Sequence, residues 1–171
     1  IGENELSVIR ACLAYGDAQR EYATADRDGD GVLEYAQRFE SSEGKRDGLY
    51  WPAAAGEAPS PLGPLYARAQ GEGYELDKPG PTPFHGYYYR ILKAQGAHAP
   101  GGEYDYQVRD NMIGGFALVA YPSKWGASGV MSFMCSHDGI VYQQNLGPDS
   151  AAIAAQMTRF EPDQGWERVA P

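Results

Sequence analysis

The chain has 171 residues, a formal charge of −9 and a hydrophobic fraction of 43%. That length and apolar content suit one domain with a real core. The negative charge excludes a surface built to neutralise nucleic-acid phosphates or to follow anionic lipid, and no run of about 20 apolar residues is present to span a membrane.

Thirteen tyrosines are many for this length, and 22 glycines with 12 prolines make about a fifth of the chain. Average Gly and Pro usage is roughly 12%, so long ordered loops are expected, on a surface suited to contacts, including contacts between copies. The chain opens on Ile1-Gly2 without Met and reads as a processed product or a fragment.

Residues 1–25 hold a leading helix, read from residue 4 with Asn4 as cap and Glu5 in the first turn. Leu6, Ile9, Leu13, Ala18 and Tyr22 mark its apolar face, with Cys12 beside it. Residues 26–37 form a calcium-type loop. Residues 38–85 form an irregular arm with the turn Gly44–Gly48, the anchor Leu49-Tyr50-Trp51-Pro52 and a short helix over Leu62–Gln70. Its anchoring groups are Tyr50, Trp51, Leu62, Leu65 and Tyr66, and Gly80-Pro81-Thr82-Pro83 breaks the chain before the sheet.

Residues 86–146 read as an antiparallel meander. Its strands are Tyr87–Leu92, Tyr104–Val108, Phe116–Tyr121, Val130–Cys135 and Ile140–Gln144, with turns at Asp110-Asn111 and His137-Asp138-Gly139. Residues 148–171 hold a second helix, Pro148–Phe160, and a tail with Trp166. The order predicts an α+β fold: an N-terminal helix packed on an antiparallel sheet, an irregular Pro/Gly-rich arm and a C-terminal helix, in one domain.

The run Asp26-Arg27-Asp28-Gly29-Asp30-Gly31-Val32 carries the most chemistry. Three carboxylates this close repel one another, and a calcium ion with six to eight oxygen ligands offsets that repulsion. An EF-hand-type loop uses side chains at positions 1, 3 and 5, glycine at 6, a backbone carbonyl at 7 and a bidentate Glu at 12. Asp26, Asp28, Asp30, Gly31 and the Val32 carbonyl meet the first seven positions. Position 12 is Gln37, neutral and monodentate; Glu34, Glu40 or Glu21 could stand in for it. The missing bidentate carboxylate predicts weak binding, roughly 10⁻⁴–10⁻³ M. The competing reading is a solvated Asp/Gly turn.

Cys12 and Cys135 are the only cysteines and lack metal-site spacing. In an oxidising compartment they could pair, worth about 4–5 kcal/mol in the chain-entropy model; otherwise they are two small buried residues. No catalytic site is expected. Ser136-His137-Asp138 holds the residue types of a triad, but neighbours in a tight turn cannot relay a proton. His85 and His98 read as packing or hydrogen-bonding groups, and nothing singles out Glu103 and Asp105 as a carboxylate pair. Tyr87, Tyr89, Tyr104 and Tyr106 alternate, so each pair shares a face; they either cover the core or, with Tyr50, Trp51 and Tyr66, form a platform for a protein partner or sugar rings.

Several stretches together resemble DUF2950, a family of exported bacterial proteins catalogued only as a domain of unknown function. They are Ala18-Gln19-Arg20-Glu21-Tyr22, Asp26 to Gln37, Lys45 to Pro52, His85 to Leu92, Gly114 to Pro122 and His137 to Tyr142. The chain is similar to the downstream half of such proteins, whose upstream half and signal peptide are absent here. The resemblance implies export to the cell envelope or beyond. More loosely, residues 1–146 are similar to the headpiece of type IV pilins and type II pseudopilins, without the apolar half-helix of a pilin core. These readings make the chain an exported, non-catalytic, calcium-binding structural protein that self-assembles as an extracellular filament subunit. The alternative is a monomeric cell-envelope module binding glycan or peptidoglycan, and the weakest reading is a hydrolase with an unrecognised site.

Overall fold

The computed structural model describes residues 2–72 and 83–169. It is an α+β fold whose main sheet has five antiparallel strands in the order β1-β6-β7-β8-β9. These are β1 (Tyr87–Leu92), β6 (Ala117–Pro122), β7 (Ser132–Ser136), β8 (Val141–Gln144) and β9 (Glu167–Arg168). Helix α1 (Gly2–Tyr22) packs on one face and the short α3 (Ser150–Ala155) lies against the other. β6 and β7 are therefore covered on both sides, and their near-continuous apolar runs follow from that burial. Register separates the two faces. Leu118 opposes Cys135 and Ala120 opposes Phe133 on the α1 side, while Val119 opposes Met134 on the α3 side.

Four sequence expectations are corrected here. Helix α1 begins before Asn4, whose side chain does not cap it but donates to the Ser128 carbonyl at 2.8 Å. Tyr104–Val108 is not a strand of the main sheet. It splits at the fully buried Tyr106 into β3 (Tyr104–Asp105), paired with β2 (Ala94–Gln95), and β4 (Gln107–Val108), paired with β5 (Asn111–Met112). β1 then pairs directly with β6. Val130 and Met131 fall outside β7 because Glu5 Oε2, reaching from α1, accepts both of their backbone N–H groups at 3.2 and 2.9 Å.

The second helix is also shorter than its pattern suggests. A 3₁₀ turn, Gly147–Asp149, leads into it and it stops after Ala155. The Arg90 guanidinium donates to the Ala154 and Met157 carbonyls at 2.6 and 3.1 Å, tying the end of the helix and the residues after it to β1. The tail then adds β9 to the sheet edge, which alternation alone does not reveal in so short a segment.

The arm is stapled to the domain. Tyr50 N–H donates to the Phe39 carbonyl and Ser41 N–H to the Tyr50 carbonyl, each at 2.8 Å. Leu49, Trp51 and Leu62 sink into the core, and Tyr50, Leu65 and Tyr66 pack against it. Helix α2 spans Gly63–Gly71, close to the predicted Leu62–Gln70. The predicted breaker Gly80-Pro81-Thr82-Pro83 lies outside the described residues except for Pro83.

Candidate metal centre

The acidic loop leaves the C-terminal end of α1 at the base of the arm. Its conformation follows from local rules. Asp26 accepts the N–H groups of Gly29 at 2.9 Å and Gly31 at 2.8 Å, Asp28 that of Asp30 at 3.3 Å, and Asp30 that of Val32 at 2.8 Å. These are side-chain-to-backbone turns of the kind Asp favours. Gly29 and Gly31 hold φ of 76° and 82°, which an L side chain adopts only with strain. The outcome is convergence: one carboxylate oxygen from each of Asp26, Asp28 and Asp30 lies within 4.8 Å of the others, all on exposed side chains.

Glu34 approaches the same point. Partial burial, a hydrogen bond shared with Asp28 and the charges of Asp28, Asp30 and Asp26 push its carboxyl up to about 7. Asp26 moves the other way, below its ordinary range, chiefly because the Gly31 N–H binds its carboxylate. A fifth group comes from the β4–β5 ribbon. Turned with its amide nitrogen toward the loop, Asn111 donates to Asp30 Oδ2 at 3.0 Å and to the Glu34 carboxylate.

Gln37 is placed differently from the loop's position-12 ligand. Its Nε2 donates to the Asp110 carbonyl at 2.6 Å and its Oε1 accepts from Gln107 Nε2 at 2.6 Å. It ties the loop's exit to the ribbon on which Asn111 sits. Tyr35 N–H extends the tie to the Met112 carbonyl at 2.8 Å. Of the other stand-ins, Glu40 lies 3.5 Å from the Tyr66 hydroxyl, and the Glu21 carbonyl accepts from Thr24 at 2.7 Å.

Two contributors escape a linear reading of the loop. Gln19, fully buried on α1, binds both backbone groups of Ala36, each at 2.8 Å, and fixes where the loop leaves. Asn111 arrives from a distant hairpin. The signal for Gln19 is a polar residue among the inward positions of α1; for Asn111, Asp110-Asn111 reads as a turn and nothing points it at the loop.

The remaining candidates fall into structural roles. Tyr87 and Tyr106 are fully buried and Trp51 is 6% exposed, so these three are core and offer no ring face to a partner. Tyr50 and Tyr66 stack on each other at 4.0 Å, half-buried, and Tyr89 and Tyr104 are also half-buried. Tyr104 and Tyr106 pack edge to face outside the main sheet. In the Ser136-His137-Asp138 turn, Ser136 Oγ accepts from Asp138 N–H, and His137 Nδ1 accepts from Phe116 N–H at 3.3 Å. His98 meets Glu161 and His85 meets Glu72, each at 3.0 Å, and Glu103 pairs with Arg159. Beside the loop, a cleft of ≈ 370 Å³ is lined by Glu21, Arg27, Arg46, Trp51 and Glu57. The Arg27 and Arg46 guanidiniums lie over the Trp51 ring at 5.4 and 5.2 Å.

No helix among the described residues is long and apolar enough to cross a membrane. No curated protein and no solved structure matches the chain, and the likeness to pilin and pseudopilin headpieces is not confirmed. A family model described as "Protein of unknown function (DUF2950)" matches residues 1–169, and the chain belongs to that family.

Proposed function

We propose that this chain is an exported, non-catalytic, calcium-binding structural protein of the bacterial cell envelope or surface that assembles with itself. The convergence of Asp26, Asp28 and Asp30 carboxylates carries the metal part of this reading. Calcium fits better than magnesium, because the loop supplies several carboxylates, whereas magnesium takes one or two and keeps most of its waters. The proposed ligands are those three side chains, Glu34, the Val32 carbonyl and Asn111 with its oxygen turned inward. Gln37 acts behind them, holding the ribbon that presents Asn111.

Two features support self-assembly. Leu6 and Leu13, expected from spacing on the packed face of α1, are instead 47% and 53% exposed, one heptad apart on its outward face, because Val8, Cys12 and Tyr15 take the inward positions. The Tyr50–Tyr66 stack adds rigid aromatic area. Calorimetry with millimolar calcium tests the metal part: heat that disappears with chelator is expected, and no heat removes it. Electron microscopy and sedimentation with calcium and with chelator test assembly separately. Filaments or closed oligomers are expected; a monomer under both conditions sinks that part and favours a monomeric glycan binder.

A further inference from the structure

The two cysteines take no part in the metal reading, and each lies where a helix meets the sheet. Cys12 is 3% exposed on the inward side of α1, a turn from the buried Val8 and Tyr15. Cys135 is 5% exposed on β7, on the face that α1 covers. Its Sγ lies 4.0 Å from the Cys12 carbonyl oxygen, across 123 positions of sequence. Hydrogen bonding to the Cys12 thiol, and burial after it, push the Cys135 thiol well above its ordinary range. Both cysteines are free thiols in the structure, and the Cys135 thiol donates to the Cys12 backbone, so the two residues lie side by side across the helix–sheet contact. With both sulfurs covered and no third cysteine in the chain, neither can reach a second molecule while α1 is docked.

We propose that Cys12 and Cys135 form a disulfide that pins α1 to the middle of the sheet. The oxidant is a disulfide, protein or small molecule, of the kind that persists outside the reducing cytosol. One cysteine loses its proton and attacks a sulfur of that oxidant, releasing its first thiol and leaving a mixed disulfide. The second cysteine, deprotonated in turn, displaces the other half. The chain gains one S–S bond and loses two S–H bonds, and the oxidant ends as two thiols. Exchange needs a thiolate with access, which the docked helix denies, so the bond forms before α1 closes over β7. Afterwards the same packing shields it from reductant. The bond is independent of whether the loop binds calcium.

The test is refolding of the reduced, unfolded full chain in a buffer of oxidised and reduced glutathione. The protein is then denatured with an alkylating agent present and weighed. A monomer two hydrogens lighter than the reduced chain and carrying no alkyl group is expected. Closing so long a loop raises the melting temperature by on the order of 10 °C relative to the reduced protein. The Cys12→Ala variant melts at the same temperature with and without reductant. Two alkyl groups, a glutathione adduct, a disulfide-linked dimer, or equal melting of the oxidised and reduced wild-type chain overturns the proposal.

Discussion

Glu34 is where the loop's charge problem is most visible. Its carboxyl is pushed from the usual 4.5 to about 7 by burial and by the aspartates around it. The folded, metal-free protein therefore keeps a proton that the unfolded chain has already released between those two values. That contribution to stability is fully present below 4.5 and is lost as pH rises through 7. A calcium ion reverses the preference, since a ligand carboxylate must be ionised. Binding near pH 6 is expected to release about one proton, and binding above about pH 8 almost none. Calorimetry in buffers of different ionisation enthalpy measures this directly. Glu34→Gln should abolish the release and weaken binding about tenfold; unchanged proton release would remove Glu34 from the ligand set. The alternating aspartates and their glycines were legible in the sequence because the loop's rules are local. Glu34's approach was legible only as one of several substitutes. Gln19 and Asn111 were not, because their partners lie 17 residues away at Ala36 and across the β4–β5 ribbon respectively.

At the scale of elements, the arm shows how a Gly/Pro-rich segment becomes rigid without regular structure. Residues 39–41 run beside residue 50 through paired backbone bonds, and Asp47 closes the intervening turn by accepting from Ser42 N–H and Oγ at 2.7 and 2.8 Å. The chain returns so tightly that a Cβ at the buried Gly48 would sit 2.7 Å from the Glu40 carbonyl carbon. Backbone cannot step aside as a side-chain tip can. Gly48→Ala is therefore expected to cost about 1–3 kcal/mol, read by denaturant unfolding, while Gly44→Ala, with nothing within 4 Å, is penalised only for its φ of 74°. Equal effects at the two sites would refute the close-approach account. The anchors Trp51 and Leu62 were readable as bulky apolar residues in a Gly/Pro-rich segment, as was α2 from its early proline. The strand that failed, Tyr104–Val108, has the right residue types. Its alternation is interrupted in space by Tyr106, which turns into the core and bonds Gln95 Oε1 at 3.0 Å, and period-2 patterning does not report such a break. β9 failed for the opposite reason: two residues carry too little pattern to read.

At the scale of the molecule, these connections decide what an ion would stabilise. The acidic loop is held to α1 by Gln19 and to the β4–β5 ribbon by Gln37, Tyr35 and Asn111. The ribbon follows β3, and Tyr104 there donates to the Gly114 carbonyl at 3.0 Å just before β6 begins. An ion bound by Asp26, Asp30, Glu34 and Asn111 thus joins the first helix, the base of the arm and the approach to the central strand. Its effect should appear as cooperative stability of the whole domain rather than ordering of one loop. With a dissociation constant of roughly 10⁻⁴–10⁻³ M, about 10 mM calcium adds roughly 1.4–2.7 kcal/mol by mass action. For a chain of this size that is a rise of roughly 3–10 °C in melting temperature. Magnesium at the same concentration should give much less, and excess chelator should reverse the shift. Asp28→Asn removes a carboxylate from the convergent set and relieves repulsion at once. It should leave the metal-free protein as stable as the wild type, or more so, while abolishing most of the calcium shift. That opposition of signs separates a metal clamp from a solvated acidic turn. In such a turn, Asp28→Asn would raise or leave unchanged the melting temperature equally with calcium and with chelator.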